Sequence, residues 1–212
     1  MPALRSTLPF ILAMAVVVIA SNFLVQYPVQ ASIGGFNLAD LLTWGAFTYP
    51  VAFLVTDLTN RRFGPGAARL VVVVGFVLAV ALSIVLATPR IAVASGSAFL
   101  VAQVLDVSIF DRLRRQAWWK APFISSIIGS VIDTIIFFSI AFAPAFGFIG
   151  ANDEFAIAAA PLLGLLPVEA PRWISWALGD FCVKVIIGLA MLAPYGALLS
   201  IIRPTRQVEA AY

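Results

Sequence analysis

Long apolar runs, separated by short polar and arginine-bearing breaks, dominate the chain. Six of them approach the ~20 residues needed to cross a bilayer: Leu8–Val25, Leu41–Thr59, Ala68–Thr88, Ile91–Phe110, Pro122–Pro144 and Ser175–Ile202. The fourth is the most polar, interrupted by Ser95, Gly96, Ser97, Gln103 and Asp106. The last is long enough to tilt, or to bend near Pro194. The longest connection, Ala145–Trp173, holds an apolar run, Phe155–Leu166, broken by Pro161 and Pro167. That run reads as a re-entrant or interfacial segment rather than a seventh crossing. The first run lacks a small-residue cleavage site, and further spans follow it, so it is expected to remain as a span. The pattern predicts an all-α polytopic membrane helical bundle of about six transmembrane helices, with residues 1–212 as a single integral membrane domain.

Composition sharpens this picture. Of 212 residues, 62% are apolar and only 11% charged, too few charges to cover a soluble globule. A mean hydropathy of +1.05 equally excludes intrinsic disorder. The cations divide unevenly: ten of the 13 (Arg5, Arg61, Arg62, Arg69, Arg112, Arg114, Arg115, Lys120, Arg203 and Arg206) fall on one side of the predicted spans. Only Arg90 and Arg172 fall on the other, and Lys184 lies within a span. By the positive-inside rule both termini are cytoplasmic and the number of crossings is even. The same rule accounts for the net charge of +3 without a nucleic-acid partner. The opposite loops carry Asp40, Asp153, Glu154 and Glu169, and Tyr27, Trp44, Trp173 and Trp176 fit an outer aromatic belt, with Trp118 and Trp119 in an inner one.

Several chemistries are not expected. Histidine is absent and the one cysteine, Cys182, has no partner for a disulfide or a metal site, so no metal or other cofactor is predicted. No phosphate-binding GxxxxGK[ST] loop exists, and Gly34-Gly35 is too short to replace it, so the chain does not hydrolyse ATP itself. The dispersed polar residues form no acid–base constellation of an enzyme.

Charged groups at membrane depth cost ~2.5–3.5 kcal/mol each on insertion scales, so each calls for a partner or a function. Asp133 lies near the centre of the fifth span, on one helical face with Ser126, Ser130 and Phe137. The serines suit close helix packing, but packing does not require a carboxylate. Asp180 and Lys184 in the sixth span are spaced i, i+4, acid first, either as a self-neutralising pair or as functional groups. Gln103 and Asp106 share a face of the fourth span, with Asp106 close enough to the cytoplasmic interface to meet water. Asn22 and Gln26 in the first span can hydrogen-bond across helices. Asp57 and Arg61, again i, i+4, precede the helix-breaking Gly64-Pro65. They read as an interfacial cap with orientation charges, or as a cytoplasmic gate whose ion pairs rearrange between states.

A set of stretches runs in order along nearly the whole chain: Ser21-Asn22-Phe23-Leu24-Val25-Gln26 with Pro28-Val29; Thr43-Trp44-Gly45-Ala46-Phe47 with Tyr49-Pro50; Thr56-Asp57-Leu58-Thr59; Gln103 with Leu105-Asp106-Val107; Trp118-Trp119 with Ala121-Pro122; Asp133-Thr134 with Phe137-Phe138; and Asp180, Cys182 and Lys184-Val185. Taken together, they resemble the bacterial queuosine precursor transporter family of vitamin uptake-like membrane proteins. The resemblance implies a multi-pass protein of the bacterial inner membrane importing 7-deazaguanines such as preQ0 and preQ1. It would act as a secondary transporter or facilitator. A carboxylate accepts two parallel hydrogen bonds from the N–H/NH₂ edge of such a base. On this reading Asp133 would meet that edge or the aminomethyl cation of preQ1, and Asn22 and Gln103 would complete the polar contacts. Trp44 or Phe137 would stack on the ring, and Asp180 and Lys184 would position Asp133 or touch substrate. The alternative is a substrate-binding membrane subunit of an ATP-driven vitamin-type importer. Beyond the small-molecule substrate and the lipid bilayer, the small-residue helix faces permit a homodimer.

Overall fold

The computed structural model describes residues 4–25, 27–33, 36–38, 42–164, 166–205 and 208–209. Gln26, Gly34-Gly35, Asp40 and Arg206, named above, fall outside the described residues. Among those described, five helices are long and apolar enough to cross a membrane: α1 (Leu4–Leu24), α4 (Pro65–Leu86), α5 (Pro89–Leu113), α6 (Lys120–Phe142) and α8 (Arg172–Leu198). Helix α8 runs unbroken through Pro194.

The second expected span, Leu41–Thr59, is not one helix. It divides into α2 (Gly45–Thr48) and α3 (Val51–Phe63), with Tyr49-Pro50 between them. Proline has no N–H to continue the ladder, so the helix is interrupted where hydropathy sees an unbroken run. Before α2, β1 (Ser32–Ile33) and β2 (Phe36–Asn37) pair antiparallel, and Pro28 bridges Thr43. The connection Ala145–Trp173 also stays at one end of the bundle. It forms α7 (Glu154–Ile157), capped by the Asp153 carboxylate at the N–H groups of Phe155 and Ala156, then the antiparallel hairpin β3 (Ala159–Leu162) and β4 (Leu166–Pro171).

Tight turns make the passages alternate in direction. Gly64, at φ +85°, ends α3 in a conformation open to glycine, and Pro65 starts α4. Only Ala87 and Thr88 separate α4 from α5, and the Thr88 hydroxyl caps Ile91 N. Both hairpins thus lie at one end, here the hairpin end. The opposite, arginine-rich end carries Arg61, Arg62, Arg112, Arg114 and Arg115.

Apolar side chains such as Met14, Val71, Val72 and Phe99 fill the core, and others cover the outside of the bundle. Val73, Val77, Ile84 and Val85 of α4 face outward, while Thr56, Asp57, Thr59 and Asn60 of α3 are at most 1% exposed. Lipid can accept the first set, whereas polar groups must find partners inside the bundle. Close approach of α3 to α6 needs Gly129, where a Cβ would stand 2.8 Å from the Phe53 ring. Asp57 is therefore no interfacial cap, and Asp106, at 0% exposure, does not meet water as expected: the polar faces of α3 and α5 turn toward each other. Arg90 is buried rather than a loop charge. Its guanidinium donates to the carbonyls of Ile140 (2.8 Å), Ala143 (2.6 Å), Gly150 and Ala151 and to Asn152 Oδ1, fastening α5 to the chain that leaves α6.

A candidate substrate cavity ending on an ion triad

A cavity of about 460 Å³ enters the bundle from the hairpin end. Its walls come from the last turn of α1 (Ser21, Asn22), the extended segment and α2 (Thr43, Gly45), and the start of α5 (Ile91, Ser95). An aromatic wall comes from Phe137, Phe138 and Phe142 of α6 and Trp176 of α8. Its floor, near mid-bundle, is formed by Tyr49, Phe99, Asp133, Asp180 and Lys184. The size suits a small organic ligand, for which pockets of roughly 300–1,000 Å³ are usual.

The floor is a compact polar constellation drawn from three helical segments. Lys184 Nζ donates to Asp133 Oδ2 at 2.7 Å, to Thr134 Oγ1 at 3.2 Å and to Asp180 Oδ2. The Thr134 hydroxyl in turn donates a hydrogen bond to Asp180 Oδ2 at 3.0 Å. The Tyr49 hydroxyl donates to Asp133 Oδ1 at 3.0 Å, and its ring lies 5.5 Å from the ammonium. Tyr49 reaches this position from the turn between α2 and α3. Two carboxyl groups thus share one ammonium, a formal excess of one negative charge. Such a charge inside the bundle is held by partners of opposite sign and by hydroxyl donors.

The two acids are not equivalent. Asp133 is engaged through both oxygens and its side chain is 5% exposed, as is that of Lys184. Asp180 meets Lys184 and Thr134 through Oδ2 alone and is 17% exposed. Asp180 Oδ1 is therefore the carboxylate oxygen of the triad best placed to accept bonds from a ligand. Each carboxylate oxygen carries two lone pairs, so Asp133 too retains capacity.

Of the residues singled out from the sequence, Asp133, Asn22, Phe137, Asp180 and Lys184 meet in this one cavity. Asn22 Nδ2 donates to Val18 O at 2.9 Å, and its Oδ1 accepts from Ser83 Oγ at 3.3 Å. Gln103 and Trp44 do not line the cavity. Gln103 is fully buried and its Oε1 accepts from Thr56 Oγ1 at 2.7 Å; Trp44 is largely exposed and packs beside Phe47. Asp57, Arg61 and Asp106 lie lower, toward the arginine-rich end. Sequence reasoning missed Tyr49, Thr134 and the cavity role of Trp176. The available signals were a Tyr-Pro pair inside an apolar run and a hydroxyl residue next to the mid-membrane acid.

Comparison with known proteins places the chain in a family. The family described as "Putative vitamin uptake transporter" matches residues 43–88 and 81–198. The chain is 36% identical over 208 residues to the "Queuosine precursor transporter" of Escherichia coli (strain K12), covering 88% of this chain and 83% of that one. It is 33% identical over 214 residues to the "Probable queuosine precursor transporter" of Haemophilus influenzae, with the same coverages of 88% and 83%. A third relative, the "Probable queuosine precursor transporter" of Bacillus subtilis (strain 168), is 25% identical over 181 residues, 72% of this chain and 69% of its own. No solved structure matches. With a constellation of ionic groups at the foot of a ligand-sized cavity, and relatives that span most of its length, the chain belongs to the queuosine precursor transporter family.

Proposed function

We propose that the protein imports 7-deazaguanine precursors of queuosine across the bacterial inner membrane, and that the cavity above Asp133, Asp180 and Lys184 is where they bind. The relatives' names supply the substrate class, and the triad supplies its chemistry. The observation that carries the reading is the pair of acids with one ammonium at the foot of an aromatic-walled cavity.

A 7-deazaguanine offers N1–H and a 2-amino group as adjacent donors. Asp180 Oδ1, with the Asp133 carboxylate behind it, accepts from such an edge. The excess negative charge of the triad also suits the aminomethyl cation of preQ1. The flat ring lies against Phe137, Phe142 and Trp176, where stacking adds about 0.5–1.5 kcal/mol beyond the area it buries. Asn22, Ser21 and Ser95 offer hydrogen bonds from the facing wall. Gln103 and Trp44 take no part in this arrangement. With the arginine-rich end in the cytoplasm, the cavity opens to the outside, and the bundle below the triad closes the path inward.

The test is made in cells. A bacterial strain unable to make queuosine precursors, and lacking its own transporter, receives this chain and external preQ0 or preQ1. Queuosine should reappear in its tRNA at low external precursor. Rescue no better than that of an empty vector, with the protein present in the membrane, would overturn the reading.

A further inference from the structure

Beneath the triad a second group of buried polar residues lies about two helical turns inside the arginine-rich end. The Asp57 carboxyl on α3 and the Asp106 carboxyl on α5 face each other within hydrogen-bonding reach, beside the Ser125 hydroxyl of α6. They are 1% and 0% exposed. Asp57 Oδ1 and both oxygens of Asp106 are buried without any donor. The Ser125 hydroxyl, 3.4 Å from the Pro122 carbonyl, stands within reach of both carboxyl groups. A further unpartnered group adjoins the pair: the hydroxyl of Tyr195 on α8, itself 1% exposed. A narrow void of about 10 Å³, the size of one water molecule, joins Asp57 and Tyr195 to Ser126, Ser130 and Lys184.

Two ionised carboxylates placed face to face in a dry interior repel each other and leave their lone pairs empty. One proton between them removes both problems, since O–H on one acid donates to the other. A metal cation fits less well. Hard cations take six or more oxygen ligands, and no group of three or more acidic or thiol ligands exists among the described residues. The cations facing this region argue the same way. Arg61 on α3 and Arg114 at the end of α5 both lie near the Tyr195 hydroxyl, and Lys184 borders the void from the other side. Arg114 is directed to Asn60, donating to its side-chain oxygen at 2.7 Å and to its carbonyl. Asn60 in turn donates to Val107 O at 2.9 Å, and Phe110 packs edge-on to Tyr195. These contacts close the arginine-rich end below the acid pair.

We propose that Asp57, Asp106 and Ser125 form a proton-binding site, separate from the substrate cavity, that holds one co-transported proton while the cavity is open at the hairpin end. This coupling rests on the transport reading above. The pair keeps its proton as long as two guanidiniums stay off the carboxylates: Arg114, turned to Asn60 and Asp111, and Arg61, whose buried Nε has no partner among the described residues and which borders the Tyr195 hydroxyl. When the arginine-rich end opens, the O–H bond breaks, the proton passes to water, and a guanidinium takes its place beside the carboxylates. The one-water void links this exchange to Lys184 and so to occupancy of the triad.

Two measurements test the site, and the first needs no substrate. Infrared spectra of the purified full chain at neutral pH should contain the carbonyl stretch of a protonated carboxylic acid. The band should shift on labelling with carbon-13 aspartate and disappear in both Asp57→Asn and Asp106→Asn, because an asparagine amide satisfies the remaining carboxylate without a proton. Absence of the band in wild type, or its persistence in both variants, would overturn the site. If the asparagine variants fail to fold, Asp57→Glu decides: it keeps the acid and should keep a protonated-acid band at a shifted frequency, whereas a band unmoved from wild type would place the proton on another acid and overturn the site. The second measurement uses proteoliposomes with the membrane potential clamped. An inward gradient of one pH unit should concentrate preQ0 roughly tenfold, one unit being a tenfold proton ratio. Asp57→Asn and Asp106→Asn should bring preQ0 only to equilibrium. Accumulation by these variants, or wild-type uptake driven by a sodium gradient instead, would refute the coupling. A wild-type chain that moves no 7-deazaguanine at all would refute the transport reading, while the infrared band would still decide the proton site.

Discussion

Replacing Lys184 by methionine keeps the length and apolar stem of the side chain and removes only the ammonium. Three bonds disappear, to Asp133 Oδ2 (2.7 Å), to Thr134 Oγ1 (3.2 Å) and to Asp180 Oδ2. Two carboxyl groups are then left facing each other in a site where the acids are 5% and 17% exposed. Removing one partner of a buried ionic group costs about 3–5 kcal/mol, because the opposite charge remains uncompensated. For a chain of this size 1 kcal/mol corresponds to about 2–4 °C, so Lys184→Met should melt about 6–20 °C below wild type in detergent. Taking away one of the stranded acids should recover part of that loss: Lys184→Met with Asp180→Asn should melt above Lys184→Met alone. Differential scanning fluorimetry of the three proteins provides the comparison. A single variant that melts with wild type, or a double variant that melts below the single one, would refute the description of the triad as mutually dependent.

Other perturbations test individual contacts. Tyr49→Phe removes one hydroxyl donor from Asp133; a hydrogen bond to a charged group contributes about 1.5–3 kcal/mol to stability, so at about 2–4 °C per kcal/mol the variant should melt about 3–12 °C below wild type in detergent, and one that melts with wild type would refute the contact. Arg90→Met strands the carbonyls of Ile140, Ala143, Gly150 and Ala151 that the guanidinium now satisfies. Hydrogen exchange should accelerate in residues 143–152, with a loss of at least about 3 kcal/mol in stability. Gly129→Leu forces α6 away from Phe53, where even a Cβ would stand at 2.8 Å, and should cost about 1–3 kcal/mol or abolish folding, as judged by yield of monodisperse protein.

Much of this architecture is legible in the chain because the bilayer imposes a strict rule on length and polarity. Five of the six expected spans correspond to long helices whose ends shift by a few residues. Leu41–Thr59 misled for a definite reason: hydropathy averages over Pro50 and cannot see that proline interrupts the hydrogen-bond ladder there. Asp133, Asp180 and Lys184 stand out because ions at that depth are costly. The spacing of Asp180 and Lys184 exposes their contact, but nothing local shows that Asp133, on another helix, meets the same ammonium. That convergence depends on how α6 packs against α8. Asp57 and Asp106 were expected nearer water because both sit close to arginine-bearing turns. Their burial arises from the packing of α3 against α5, where Asn60, Val107 and Arg114 interlock, and a one-dimensional pattern holds no record of it. Gln103 follows the same logic: its polarity marks an inward face, but its partner is Thr56 rather than the cavity.

The central claim is that a carboxylate at the floor of the cavity recognises a 7-deazaguanine and that this chain alone carries it across a bilayer. Uptake of radiolabelled preQ1 by liposomes containing only the purified protein tests both parts at once. Wild type should load the vesicles, and Asp133→Asn, shown to be folded by its melting curve, should not. Transport by Asp133→Asn at the wild-type rate, or none by wild type until an ATPase partner is added, would contradict the account.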